Sequence, residues 1–269
     1  MQIFDTHAHY DDAAFDADRE TLLKTLPEQG VRAVLSAAVD PESARRTLAL
    51  CRQYPGFLFG AVGVHPEAVG QAPDSWLRDI YTLSADPVCR AIGEIGLDYH
   101  YEDGAPRAVQ QEWFRRQLVL AQERNLPVVI HDRDAHEDTL KILEEYKPRG
   151  VVHCFSGSVE MMRQLTAWGL HIGIGGVVTF KNARRAVEVA AAVPADRLLL
   201  ETDAPYLAPE PERGQRNHSG RIVHIARRLA EIRNEDPESL CRQTYDNACR
   251  LFGVQPQEIA SSSVGAPDT

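Results

Sequence analysis

Eight short apolar runs punctuate this chain, and segments with helical spacing lie between them; that alternation limits the possible folds more than any other feature. The runs are QIFDTHAH, VRAVLSAAV, GFLFGAVGVH, CRAIGEIGLD, LPVVIHDR, GVVHCFSG, LHIGIGG and RLLLETDAP. Between them lie amphipathic stretches, among them DADRETLLKTLPEQG, PESARRTLALCRQY, AVQQEWFRRQLVLAQERN, AHEDTLKILEEYK, VEMMRQLTAWG and ARRAVEVAAAV. Repeated strand-then-helix order implies a parallel sheet. Eight strands in about 250 residues is the usual size of a (β/α)8 barrel, so the expected class is α/β and the architecture a single TIM barrel. A doubly wound open sheet is the alternative, but no G-x-G-x-x-G follows the first run. With no Pro/Gly/Ser-rich linker between units, residues 1–258 read as one barrel and 259–269, ending SSSVGAPDT, as a flexible tail.

Composition narrows the function classes. The formal net charge is −10, so no global positive field attracts nucleic acid, and a polyanionic substrate needs a locally positive site such as bound metal or a few arginines. Five cysteines, an odd number, form no C-x-x-C pair, which suits a reduced, cytoplasmic protein. The chain shows neither a signal peptide nor an apolar stretch long enough for a bilayer, and the expectation is a monomer or small homo-oligomer.

Barrel enzymes carry their chemistry at the C-terminal ends of the strands, and here those ends are rich in ligand-type residues. The first run ends in His7 and His9, which share a face of an extended strand by their spacing of two. The fourth contributes Glu94, the fifth His131, the sixth His153, and the eighth Glu201 and Asp203. Nitrogen-rich donors with carboxylates suit zinc, manganese or iron better than calcium. A carboxylate amid two imidazole pairs can bridge two ions: His7 and His9 on one, His131 and His153 on the other, Glu94 between. Two such ions activate a water molecule and polarise a phosphoryl or carbonyl oxygen. Asp203 is expected to complete the first site and accept a proton from that water. Glu201 is expected on the opposite face, in a supporting role.

In this order, the motifs FDTHAH, GEIGLDY, LPVVIHDRDA, HCFSG and ETDAPYL resemble those of the TatD family of metal-dependent deoxyribonucleases, and they span Phe4 to Leu207. The resemblance implies a (β/α)8 barrel of the amidohydrolase superfamily, acting on DNA from the 3′ end. It also implies that His7, His9, Glu94, His131, His153 and Asp203 hold two divalent ions (zinc, manganese or magnesium), with Asp203 and Glu94 as the catalytic carboxylates. One segment departs from the pattern. Where family members commonly read RNEP, this chain reads RNHSG from Arg216 to Gly220, with Ser219 a candidate N-cap, which bears on how the loop after the eighth strand meets substrate.

Further residues are candidates for substrate contact. His65 ends the third run in GVHP. Arg133, two past His131, can clamp a phosphate or pair with Asp98 or Asp134. Arg213, Arg216 and Arg221 crowd ERGQRNHSGR and could form a phosphate cradle. Cys154 should turn away from the mouth into the core, and Trp76, Trp113 and Trp168 lie in helical stretches as core residues. Two other functions share the same ligands or part of them: hydrolysis of an amide, lactone or other ester, and non-catalytic metal binding. The first commonly uses a carboxylated lysine bridge, whereas the fourth run offers Glu94 and no nearby lysine. A structural zinc site would be closed and often cysteine-rich, unlike this open set.

Overall fold

The computed structural model describes residues 1–255; the expected tail at 259–269, with the domain boundary at 258, lies outside them. Each apolar run contains one strand: β1 Ile3–Ala8, β2 Val31–Ala37, β3 Leu58–Val62, β4 Cys89–Asp98, β5 Val128–Arg133, β6 Gly150–Val152, β7 His171–Ile174 and β8 Leu198–Leu200. They form one parallel sheet in the order β1 to β8. Beyond β8 the chain continues along β1, with an Ala8–Ala204 bridge and the bonds Asp203 N to His7 O (2.9 Å) and His9 N to Ala204 O (2.7 Å). The sheet thereby closes into a (β/α)8 barrel.

Helices α1 Arg19–Thr25, α2 Pro41–Cys51, α3 Ser75–Leu83, α4 Arg107–Arg124, α5 His136–Tyr146, α6 Val159–Ala167, α7 Arg184–Ala192, α8 Ile222–Arg233 and α9 Pro237–Phe252 complete the described secondary structure, together with short 3-10 turns. Their ends follow from local chemistry. Asp40 and Asp236 accept from Ser43 N (2.8 Å) and Ser239 N (2.9 Å) at the starts of α2 and α9, each followed by proline at the first helical position. Most outward strand residues, such as Val34, Ile92, Ile130, Val152 and Ile172, pack with the helices in one large core. Inward residues Phe4, Leu35, Phe59, Val129, Val151 and Leu199 fill the lower barrel. There α9 seals the end with Tyr245, Ala248, Cys249 and Phe252, spaced i, i+3, i+4, i+7 along one face. Phe4 lies 5.9–6.3 Å, ring to ring, from Phe59, Tyr245 and Phe252, a burial worth about 1.5–3 kcal/mol.

Two register shifts aim the polar residues. In β1 the pairs Asp5–Val34 and Ala8–Ser36 leave one extra residue on β1; across it the inward set changes from Phe4 to His7 and His9. In β4 the pairs Ile92–Val128 and Ile95–Ile130 do the same, and the inward set changes from Ala91 to Glu94 and Asp98. β4 can lie this close to β5 because residue 96 is glycine: at φ +147°, a Cβ there would sit 1.9 Å from the His131 carbonyl oxygen.

Candidate metal centre

At the C-terminal end of the barrel the strands open into a cavity of about 1210 Å³, lined by His9, His65, Glu94, His131, His153 and Asp203 among others. Glu94 is buried at its centre with one oxygen toward each of two groups of donors. Its Oε2 is 3.3 Å from His7 Nε2 and 3.6 Å from His9 Nε2. Asp203 Oδ1 lies 3.7 and 3.5 Å from the same two nitrogens, which are 3.1 Å apart. Glu94 Oε1 is 2.8 Å from His131 Nδ1 and 2.6 Å from His153 Nε2, and these nitrogens are 3.2 Å apart. His65 Nε2 stands 3.5 Å from the same oxygen. The six residues expected as ligands thus converge, and His65 joins them more closely than a substrate contact alone requires.

The donor set fits divalent cations. At the usual imidazole and carboxylate distances of about 2.0–2.2 Å, tetrahedral ligand atoms are separated by roughly 3.4 Å, and the first group shows 3.1–3.7 Å. The second group offers three tight protein donors, leaving room for a solvent or substrate oxygen. Two imidazoles are fixed from behind. His9 Nδ1 donates to the Ala37 carbonyl (2.8 Å) and His131 Nε2 to Asp98 Oδ2 (3.0 Å), so that the other ring nitrogens face Glu94.

Electrostatics divide the histidines. Burial, reinforced by His153, pushes His7 down to about 4 and keeps it neutral, the form that binds metal. For His9 and His131 burial acts the same way, but the Asp203, Asp98 and Glu94 carboxylates outweigh it and raise them to about 9 and about 10. Glu94 and Asp203 are held below the carboxylate range: burial opposes their ionisation and the surrounding histidines overcome it.

Several expectations need correction. Glu201 does not face away: it points into the barrel, fully buried, against Gly173 and Gly175, and one oxygen accepts from Cys154 N. It lies just past the last residue of β8, and burial raises its pKa to about 8. Cys154 is not a core residue; it adopts φ 44°, which breaks strand alternation, and lines the cavity. Arg216 is not at the mouth. Its guanidinium forms two 2.7 Å bonds to Asp18 and lies over Phe15. Arg213 covers Phe180 and Arg221 bonds Gln215, so the three arginines form no cradle. Ser219 does not cap; His218 accepts from Gly220 N instead, while Ser219 Oγ donates to Asp5 Oδ2 (2.6 Å). Arg133 does line the cavity, paired with Tyr101 (3.3 Å) rather than with Asp98 or Asp134.

Sequence reasoning named Asp98 only as a possible partner of Arg133, whereas it orients His131, and the inward parity of Glu94 reaches it in the same run. That reasoning passed over Asp5. That buried carboxylate accepts from Thr202 N (2.9 Å), Thr202 Oγ1 (2.6 Å) and Ser219 Oγ, and burial raises it to about 6.

Comparison with known proteins agrees with this architecture. The family described as TatD related DNase matches residues 4–253. The metal-dependent hydrolase YabD of Bacillus subtilis is 38% identical over 94% of this chain and 99% of its own length. The 3′-5′ ssDNA/RNA exonuclease TatD of Pectobacterium carotovorum is 35% identical over 93% and 99%. The crystal structure of the TatD homologue YJJV from Escherichia coli superposes with a TM-score of 0.89 at 32% identity, covering 94% of this chain and 98% of that one. With the barrel, the converging histidines and carboxylates, and these full-length matches, the chain belongs to the TatD related DNase family of metal-dependent hydrolases.

Proposed function

We propose that this protein hydrolyses phosphodiester bonds of DNA, removing residues from the 3′ end of a strand. His7, His9, Glu94 and Asp203 hold one divalent ion, and Glu94, His131 and His153 a second. The observation that carries the reading is Glu94: one buried carboxylate presents an oxygen to each of two donor groups. Bound divalent ions supply Lewis acidity, which lowers the pKa of a water molecule and offsets charge on a phosphoryl oxygen.

The chain's own residues do the rest. Asp203, ionised at neutral pH despite its burial, accepts the proton of the attacking water at its carboxylate. Asp98 and the Ala37 carbonyl hold the His131 and His9 rings in position. Arg133 stands at the cavity wall, where its guanidinium can meet a phosphate. Relatives named as nucleases support a nucleic-acid substrate.

The test is one screen. Protein of verified metal content is stripped by a chelator, then reloaded with manganese, magnesium or zinc. It is assayed on end-labelled DNA, RNA, simple phosphate esters, and lactone and amide substrates. Loss of DNA hydrolysis on stripping, and recovery on reloading with up to two ions per chain, is the expected result. Full activity after verified removal, or turnover of carbonyl substrates alone, overturns it.

A further inference from the structure

Among the described residues five large apolar side chains are exposed, Tyr81, Tyr101, Val119, Tyr206 and Leu207, and three of these five line the catalytic cavity. Tyr81 is covered by the Arg124 guanidinium, 3.6 Å from its ring centre. Tyr101 and Tyr206 are 49% and 53% exposed, though each hydroxyl is tied down: Tyr101 accepts from Arg133, and Tyr206 donates to Asp12 Oδ2 at 3.0 Å. A tethered hydroxyl holds the ring while leaving much of it open to solvent.

Their placement is not random. Tyr101 follows β4 and Tyr206 follows β8, which stand four strands apart either way around the closed barrel, on opposite sides of the mouth. Tyr206 lies 6.1 Å, ring to ring, from His9 in the first donor group. Tyr101 lies under Arg133, two residues past His131 of the second. The cavity lining holds eight carboxylates against two arginines, Arg46 and Arg133, and Arg46 is already paired with Asp11 and Glu42. Backbone phosphates outside the metal centre therefore find little positive charge, and affinity must come from elsewhere.

We infer that Tyr101 and Tyr206 are base-stacking platforms on either side of the scissile phosphate. This rests on the phosphodiesterase reading above. Base–aromatic stacking is sequence-tolerant and strong enough to replace phosphate contacts.

The experiment uses the full chain, with cleavage kinetics and fluorescence anisotropy of a labelled single-stranded oligonucleotide. A second oligonucleotide is identical but abasic at its last two positions. Tyr101→Ala and Tyr206→Ala should each weaken binding and raise KM about tenfold or more on the normal strand, with a smaller change in kcat. Tyr101→Phe and Tyr206→Phe should restore most of the affinity. The abasic strand should bind the parent weakly and respond little to either alanine. Cleavage of the normal strand with unchanged binding in both alanine variants overturns the platforms and leaves the nuclease reading intact. Equal losses on the abasic strand also overturn them. Tyrosine-dependent binding without cleavage supports the platforms and sinks the hydrolytic reading; absence of both binding and cleavage removes both.

Discussion

Replacing Glu94 by glutamine probes the centre most directly. The substitution preserves shape and leaves neutral oxygen and nitrogen atoms where two charged oxygens stood. Five imidazoles lie within 3.6 Å of that carboxylate: His7 at 3.3 Å, His9 at 3.6 Å, His65 at 3.5 Å, His131 at 2.8 Å and His153 at 2.6 Å. Removing one partner from a buried charged pair costs about 3–5 kcal/mol, and Glu94 is 3% exposed. Each ion should therefore bind roughly 10²–10⁴-fold more weakly, since about 1.4 kcal/mol is one decade. Because Glu94 faces both donor groups, the two ions should weaken together. His131→Asn, by contrast, should weaken one. The assay is ion content by elemental analysis at fixed free metal, with calorimetric titration of stripped protein and a thermal melt to verify folding. A Glu94→Gln protein that is folded, has lost one ion and retains the other at parental affinity would refute the bridging argument.

Three further outcomes are expected. Asp203→Asn should lower kcat by roughly 10²–10⁴ with the His131/His153 ion retained; kcat within about threefold of the parent at full occupancy would exclude Asp203 as the base. Binding of single-stranded DNA should depend only weakly on salt, with a log–log slope no steeper than about −2, because two arginines line the cavity; a slope near −6 would reveal an unrecognised basic face. At the opposite pole His171 is pushed down to about 4 by burial and by Arg197 and Arg250. The unfolded chain takes up that proton near 6.5 and the folded chain only near 4, so stability should fall as pH drops through this window, by about 3 kcal/mol in all. His171→Gln should flatten that part of the denaturation profile, and an unchanged profile would count against it.

The strands and most of the ligands were legible because they depend on local signals. Apolar runs separated by helical spacing gave all eight strands, and the positions of His131 within β5 and of His153 just after β6 follow from alternation. Helices α3, α8 and α9 lay outside the stretches singled out as amphipathic, and α9 acquires its meaning only from the barrel floor it seals. What sequence could not show was set by backbone irregularity or by distant partners. The extra residues in β1 and β4 decide which parity faces inward, and no composition rule announces them. Asp203 at φ 58° and Cys154 at φ 44° leave the strand path, so alternation fails for both. Asp203 turns toward His7 and His9, while Glu201 stays beneath it. Arg216 looked free in a run of arginines because its partner, Asp18, is 198 residues away.

The seam that closes the barrel and the first donor group are the same piece of structure. His7 comes from β1 and His9 from the residue that follows it, Asp203 from the segment after β8, and β8 itself has only three residues. Pairing across this boundary rests on two main-chain bonds, on Thr6 Oγ1, which donates to the Leu200 carbonyl at 2.9 Å, and on Asp5, whose carboxylate takes Thr202 Oγ1 at 2.6 Å and Ser219 Oγ at 2.6 Å. The separation of Asp203 from the two histidines is therefore fixed by the hydrogen bonds beneath them. Thr202→Val keeps the shape and deletes the hydroxyl donor to a buried carboxylate, a loss worth about 1–3 kcal/mol. The variant should melt earlier and should also bind the His7/His9/Asp203 ion more weakly, with the His131/His153 ion little changed. Melting temperature and stepwise metal titration on the same preparation separate the two effects. A lower melting temperature with first-ion affinity intact would mean that closure and metal binding are independent, and that Asp5 serves the fold alone.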